Sequence, residues 1–332
     1  MKIAVVILNW NGEKLLEQFL PSVIKYSQEA TIYVADNAST DNSVHFVKHH
    51  FPTVKIIQNT ENGGYAKGYN EALKHVTEDI FCLLNSDVEV TEAWLSPIAE
   101  TFNKQPETAI IQPKILDYKN KNHFEYAGAA GGFIDKFGYP FCRGRLFHSI
   151  EEDLGQYNDI TPVFWASGAC FFIRKDIYRQ LNGFDESFFA HMEEIDLCWR
   201  AFNKNYNTSY VGTSTVYHVG GATLKNSNPK KTFLNFRNSL FTLVKNAGGN
   251  LFALILTRLV LDGFAAVKFL LEFKWLHILA ILKAHLSFYA HLPKLLKQRK
   301  ALKQRKSYYK NPSLVWSYYI NNCKNFNCLY NC

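Results

Sequence analysis

Four short apolar runs constrain this chain more than any other feature. Residues 3–8, 31–35, 54–57 and 80–84 are each rich in Val, Ile, Leu or Phe. Each run gives way to a polar break, and the first three breaks lead into apolar residues at helical spacing, such as Leu16, Phe19, Leu20 and Val23. This β-α-β-α-β-α-β alternation predicts an α/β fold, a mostly parallel sheet wound with helices on both faces. The strand ends then carry Asn9, Asp36, Asn62 and Asp87 to one edge, where open α/β sheets collect their ligands. Two common nucleotide fingerprints are missing: no G-x-G-x-x-G follows the first run, and there is no P-loop lysine motif.

The fourth run has the most telling end. Residues 80–84 (IFCLL) stop at Asn85-Ser86-Asp87. A carboxylate flanked by small polar residues at a strand end can hold a hard divalent cation through oxygen, although Asp and Asn also end strands simply as turn formers. Beyond it, residues 92–104 read as a helix and 109–112 as a strand. The pattern then weakens over residues 113–162, and a long irregular stretch inside a compact domain is often functional. Residues 164–173 (FWASGACFFI) resume a strand-like run, and 175–181 a short helix closed by Asn182-Gly183. In FFAHMEEIDLCWRAF, Ile195, Trp199 and Phe202 share one helical face, with Glu193, Glu194 and Asp196 at the amino end. Carboxylates there suit the helix dipole, so a structural role stands open beside a catalytic one. A strand over 209–212 leads to Tyr217-His218-Val219-Gly220-Gly221.

The segments VVILNWNG, VADNASTDNS, NGGYAKGYN, LLNSDVEV, SGACFFIRKDIYRQLNGFDESFF, HMEEIDLCWR and YHVGGAT occur in that order. Together they resemble the family 2 glycosyltransferases of the GT-A fold, most of all the rhamnosyltransferase-like branch that builds bacterial surface polysaccharides. The resemblance implies an inverting, metal-dependent transfer of sugar from a nucleoside diphosphate donor to a glycan acceptor, lipid-linked in this branch. It also implies a role for each matching position. Asp36 would bind the nucleobase, with Asn9 and Asn62 in the loops beside the nucleotide. Asn85-Ser86-Asp87 stands where the family has D-x-D, so Asp87 would bind Mg²⁺ or Mn²⁺ and Asn85 the donor ribose or sugar. His218 falls where a further metal ligand often lies. Glu193-Glu194 matches the family's E-D pair, with Glu194 favoured as the base that takes the acceptor hydroxyl's proton. Lys67 and Arg237 are candidates for phosphate contacts, with a solvated surface role the alternative for either alone. A catalytically inactive nucleotide- or glycan-binding module is the alternative, though such a module needs no base.

The last quarter changes character. Residues 251–292 are apolar but interrupted by Arg258, Asp262, Lys268, Glu272 and Lys274, so no run reaches the roughly 20 residues of a spanning helix. A basic run follows: Lys294, Lys297, Arg299, Lys300, Lys303, Arg305 and Lys306. Core helices and membrane-surface helices both fit. The basic run favours amphipathic helices on an anionic cytoplasmic leaflet, and no base-reading element points to nucleic acid. The expected division is residues 1–240 as the transferase domain, 241–310 as a membrane-associating helical region, and 311–332 as a tail. The first twelve residues, MKIAVVILNWNG, are too short in their apolar run for a signal peptide and lack a small-residue cleavage site. A peripheral place on the inner face of the cytoplasmic membrane follows as the expectation. Seven scattered cysteines do not read as a disulfide framework, and Cys323, Cys328 and Cys332 lack a histidine at zinc spacing.

Overall fold

β1 (Ile3–Asn9), α1 (Glu13–Tyr26), β2 (Thr31–Asp36), α2 (Ser43–His50), β3 (Lys55–Gln58), α3 (Gly64–Ala72) and β4 (Ile80–Asn85) realise the alternation seen in the sequence. This is a computed structural model that describes residues 1–220 and 228–330. β1 lies between β2 and β4, all three parallel, and β3 pairs parallel with β2. Side chains alternate across the sheet as the strand period requires. Ile3, Val5 and Ile7 pack with Leu16, Leu20 and Val23 of α1, whereas Ala4 and Val6 join Ala66 and Tyr69 of α3 on the other face.

Beyond β4 come β5 (Val88–Val90), α4 (Leu95–Lys104), β6 (Thr108–Asp117), β7 (Gly132–Ile134), β8 (Pro140–Cys142), β9 (Arg145–Leu146) and β10 (Ser149–Ile150). β11 (Ile160–Val163), β12 (Cys170–Arg174), α5 (Lys175–Gln180), α6 (Glu193–Asn203) and β13 (Asn207–His218) complete the sheet region. The expected parallel character holds only in the first half. The central sheet runs β11-β13-β6-β12-β4-β1-β2-β3, with β5 beside β13. β12 enters antiparallel to both β4 and β6, and β11 and β5 are antiparallel to β13, so the sheet is mixed. β7 to β10 form a small separate sheet inside the stretch whose pattern was weak.

β6 and β13 are much longer than expected, because tertiary pairing overrides local breakers. Pro113 sits within β6 opposite Val211, where the register of β13 jumps to Thr215. This irregularity absorbs the missing proline N–H, which would interrupt a regular ladder.

α7 (Pro229–Asn246), α8 (Leu251–Leu271), α9 (Trp275–Lys300) and α10 (Leu314–Tyr319) close the chain. α7 packs between α6 and α9, and the expected boundary at residue 240 falls inside it. α9 buries Ile281, Phe288 and Leu295. α8 buries Arg258 and Asp262, which pair at 2.8 Å, while His285 of α9 meets Asp262 at 3.1 Å and Arg258 also donates to the Phe137 carbonyl. Two of the charges that interrupt this apolar stretch, Arg258 and Asp262, therefore pin the hairpin to the body of the molecule.

The outer face of the hairpin is apolar. Phe252, Leu256, Val260, Phe264, Val267 and Leu271 line α8, and Trp275, Leu279, Leu282, Leu286 and Tyr289 line α9, all exposed. Among the described residues no helix is long and apolar enough to cross a membrane. Of the basic run, Arg299 donates to the carbonyls of Val244 and Ala247, and Arg305 to that of Phe202, so these two serve the fold. Lys294, Lys297, Lys300, Lys303 and Lys306 remain exposed.

The tail is also built in. Leu314 N donates to Asp135, and Phe326 packs against Phe133 and Phe141. Cys323 and Cys328 are joined by a disulfide, which the spacing of the seven cysteines did not suggest, and Cys82, Cys142, Cys170 and Cys198 are buried free thiols. Gly221, Ala222 and Thr223 of the YHVGGAT segment, and Cys332, lie outside the described residues.

Candidate active site

The register of the parallel strands builds the first wall. Asn9 pairs with Asp36 across β1 and β2, and Leu8 with Asn85 across β1 and β4, so three polar strand ends are level. Asp36 is almost fully buried, accepting from Asn9 Nδ2 at 3.2 Å and from Ser39 N at 3.0 Å. Its carboxylate is thereby held rigid at the rim. Asn9 Oδ1 is buried without a partner, and a Cβ on Gly12 would stand 2.4 Å from it, so only glycine lets the loop pass so close.

Asn62 serves the loop rather than facing outward. Its Oδ1 accepts from Asn37 Nδ2 at 3.0 Å and from Gly64 N at 3.0 Å, tying the start of α3 to the end of β2. Lys67 forms an ion pair with Glu61 on the exposed side of α3. Asn85 N donates to Ala169 O at 3.0 Å, which sets the end of β4 against the SGA turn.

β13 supplies the second wall. Val88 of β5 is the register partner of His218, which brings Asp87 beside that histidine. His218 Nε2 lies 3.2 Å from Asp87 Oδ1, and its Nδ1 lies 3.4 Å from Glu125 Oε1. All three side chains are buried. Burial alone would lower the histidine's pKa, but hydrogen bonding and charge from Asp87 and Glu125 prevail and push it up to about 10. The pair expected as metal ligands is thus brought into contact in a buried setting.

Its donor set fits a divalent cation: a carboxylate oxygen of Asp87 and, 3.2 Å from it, the imidazole Nε2 of His218. Among the described residues no group of three His, Cys, Asp or Glu forms a ready cage.

The third wall is the amino end of α6. Phe189, His191 and Met192 have positive φ (65°, 69° and 73°), a strained approach that places Glu193 and Glu194 at the helix start. Asn238 of α7 holds this loop, donating through Nδ2 to the carbonyls of Phe188, Ala190 and His191 at 3.1, 2.9 and 2.7 Å. Arg237 donates to the carbonyls of Ser187 and Phe188 at 3.0 and 3.1 Å, so its guanidinium is spent on the loop. Below, Lys245 bridges Asp185 at 2.7 Å and Asp196 at 2.9 Å, locking α6 to α7.

Glu193 is buried, and burial together with the neighbouring Glu194 holds its carboxyl well above the usual range. Glu194 is half-buried, and desolvation raises it to about 7. Each has one buried carboxylate oxygen without a partner. A half-buried carboxylate with a pKa near 7 is suited to exchange protons at neutral pH. Tyr65 links the walls: its N–H donates to Phe189 O, its hydroxyl to Gly168 O, and the charges of Glu193 and Glu194 act on it.

The model of "Glycosyl transferase family 2" matches residues 4–181. The chain belongs to that family. An N-acetylglucosaminyl-diphospho-decaprenol L-rhamnosyltransferase of Mycobacterium tuberculosis is 24% identical over 65% of this chain and 75% of that protein. The low-salt glycan biosynthesis hexosyltransferase Agl10 of Haloferax volcanii is 24% identical over 82% of this chain and 86% of its own. S. aureus TarS 1-349 in complex with UDP-GlcNAc matches with a TM-score of 0.54 at 16% identity, over 91% of this chain and 92% of that one. GalNAc-T7 with UDP, GalNAc and Mn²⁺ matches with a TM-score of 0.57 at 16% identity. That match covers 74% of this chain but 48% of GalNAc-T7, so this chain spans about half its length. These likenesses show the GT-A fold. The protein is a glycosyltransferase of family 2.

In this family 2 enzyme, Asn9, Asp36, Asn85, Asp87, Glu193, Glu194 and His218 sit on the three walls described above. Glu125 and Asn238 were missed by sequence reasoning. Glu125 lies in the irregular stretch, where no periodicity singles it out. Asn238 carried one usable signal, a polar amide on a buried helix face, which must find partners.

Proposed function

We propose that this enzyme is an inverting, cation-assisted transferase that moves a sugar from a nucleoside diphosphate donor to a lipid-linked glycan at the cytoplasmic face of a membrane, in cell-surface polysaccharide synthesis. The observation that carries the reading is the disposition of carboxylates. Asp36 ends β2 and Asp87 follows the end of β4, the two strands that flank β1, and the half-buried Glu194 stands on a separate wall at the strained start of α6.

Asp36 accepts a hydrogen bond from the nucleobase, and Asn85 accepts from or donates to the donor's hydroxyls. Asp87 and His218 would hold Mg²⁺ or Mn²⁺, and a bound cation would supply positive charge to offset that of the leaving group. Glu194 takes the proton of the acceptor hydroxyl as its oxygen bonds to the anomeric carbon. The bond from that carbon to the diphosphate oxygen breaks, and its electron pair leaves with the nucleotide. A single displacement inverts the anomeric configuration. Glu193, buried behind Glu194, sets its charge and orientation.

The lipid-linked acceptor is supported by the printed name of the mycobacterial relative and by the exposed apolar stripe of α8 and α9. With Lys294, Lys297, Lys300, Lys303 and Lys306 nearby in the chain, that stripe suits an anionic leaflet. The transferase domain is taken as residues 1–240 and the membrane-associating region as 241–310, with the tail at 311–332 fastening the small sheet.

The test separates base from fold. Glu194→Gln should lower the transfer rate roughly 10²- to 10⁴-fold and leave donor affinity close to the parent's. Glu193→Gln should cost less. A Glu194→Gln protein that transfers at the parental rate would move the base elsewhere.

A further inference from the structure

We propose that Glu125 is a positioning residue that orients His218 as a ligand for the divalent cation it shares with Asp87. This rests on the metal reading above and adds a residue to it. The two carboxylates address opposite edges of one buried imidazole: Asp87 Oδ1 is 3.2 Å from Nε2, and Glu125 Oε1 is 3.4 Å from Nδ1. Glu125 therefore cannot join Asp87 on the same ion. A histidine that ligates metal must present one bare nitrogen and keep its proton on the other. A carboxylate accepting from that second nitrogen selects the tautomer, fixes the ring and makes the ligand more basic.

Glu125 is itself held in place. Its backbone N–H donates to Ile115 O at 3.0 Å, and its Oε2 accepts from Ala127 N at 2.5 Å, which leaves Oε1 for the ring. The chain after His218 is shaped around that oxygen. Gly220 has φ +68°, and a Cβ there would lie 2.9 Å from Glu125 Oε1.

A merely structural Glu125, neutralising a buried histidine, would matter to folding and not to the metal. Mn²⁺ binding in the presence of UDP or GDP, followed by electron spin resonance on the full chain, distinguishes the two. The parent should show coupling of Mn²⁺ to an imidazole nitrogen, and His218→Ala should lose it. Glu125→Gln should fold, bind Mn²⁺ about 10- to 100-fold more weakly, and show weakened nitrogen coupling even at saturating Mn²⁺. In the His218→Ala background, Glu125→Gln should cause no further loss, because Glu125 acts through that ring. Glu125→Asp, which keeps the charge but withdraws it, should fall between parent and Glu125→Gln.

A folded Glu125→Gln with parental Mn²⁺ affinity and nitrogen coupling overturns the proposal, as does an equal loss in the His218→Ala background. Failure of both Glu125 variants to fold assigns the residue to the fold and overturns it too. Failure of the parent to bind Mn²⁺ with either nucleotide overturns the metal reading itself, a result distinguishable from the others.

Discussion

Glu194 is the half-buried member of a carboxylate pair whose other member is buried, and desolvation raises it to about 7. Transfer should rise as pH increases through about 7, since the base works deprotonated, and Glu194→Gln should remove that limb of the profile. Stability moves the other way. The folded state holds a proton that the unfolded chain releases near 4.5, so this carboxyl's penalty is absent below about 4.5, grows as pH rises toward 7, and is constant above. Thermal melting of Glu194→Gln should therefore match the parent at pH 4 and exceed it at pH 8. Identical differences at the two pH values would contradict the assigned shift. At this scale the placement of polar residues at strand or helix ends was legible, as for Asp36, Asp87 and Glu194, whose roles are proposed above. For Lys67 and Arg237 the sequence left phosphate contact and a surface role both open, because a cation's position in the chain does not reveal partners such as Glu61 or the carbonyls of Ser187 and Phe188.

The amino end of α6 is an element held from behind. Three of the four residues from Phe189 to Met192 have positive φ, a conformation costing on the order of 1–3 kcal/mol each. The single amide of Asn238 spans three carbonyls of that segment and offsets part of this strain. Asn238→Ala should lower stability by about 1–3 kcal/mol and reduce transfer at saturating donor while leaving donor affinity unchanged. Melting and steady-state kinetics check both parts. A stable variant with normal turnover would show that the loop holds itself. The first four strands were readable from apolar runs, because local β-branched sequence and burial agree there. β13 was read as residues 209–212 but runs Asn207–His218, because its pairing with β6 and β5 supplies hydrogen bonds that no local pattern records. The antiparallel insertion of β12 was likewise invisible, since strand order is set by partners distant in the chain.

At the scale of the whole molecule the α8–α9 hairpin is part of the core on one face and bare on the other. Ile281, Phe288 and Leu295 face inward, and large apolar side chains contribute about 1.5–3 kcal/mol each when buried. Removing the hairpin uncovers comparable area on its partners, a loss that rivals the roughly 5–15 kcal/mol net stability of a domain. Truncation after Gly249 is thus expected to unfold the enzyme. The membrane reading is tested instead by Phe264→Glu with Leu286→Glu, both on the outer stripe. That variant should stay folded, keep transfer to a water-soluble acceptor, and lose co-sedimentation with vesicles containing anionic lipid. Unchanged co-sedimentation would assign the stripe to another partner. The most direct test of the central claim is nucleoside diphosphate release from a panel of UDP-, dTDP- and GDP-sugars with Mn²⁺, comparing the parent with Asp87→Asn. The account predicts that at least one donor is turned over by the parent, that chelation of the metal abolishes release, and that Asp87→Asn loses most of it while remaining folded. Release that persists undiminished under chelation and in Asp87→Asn, or none from any donor, would contradict it.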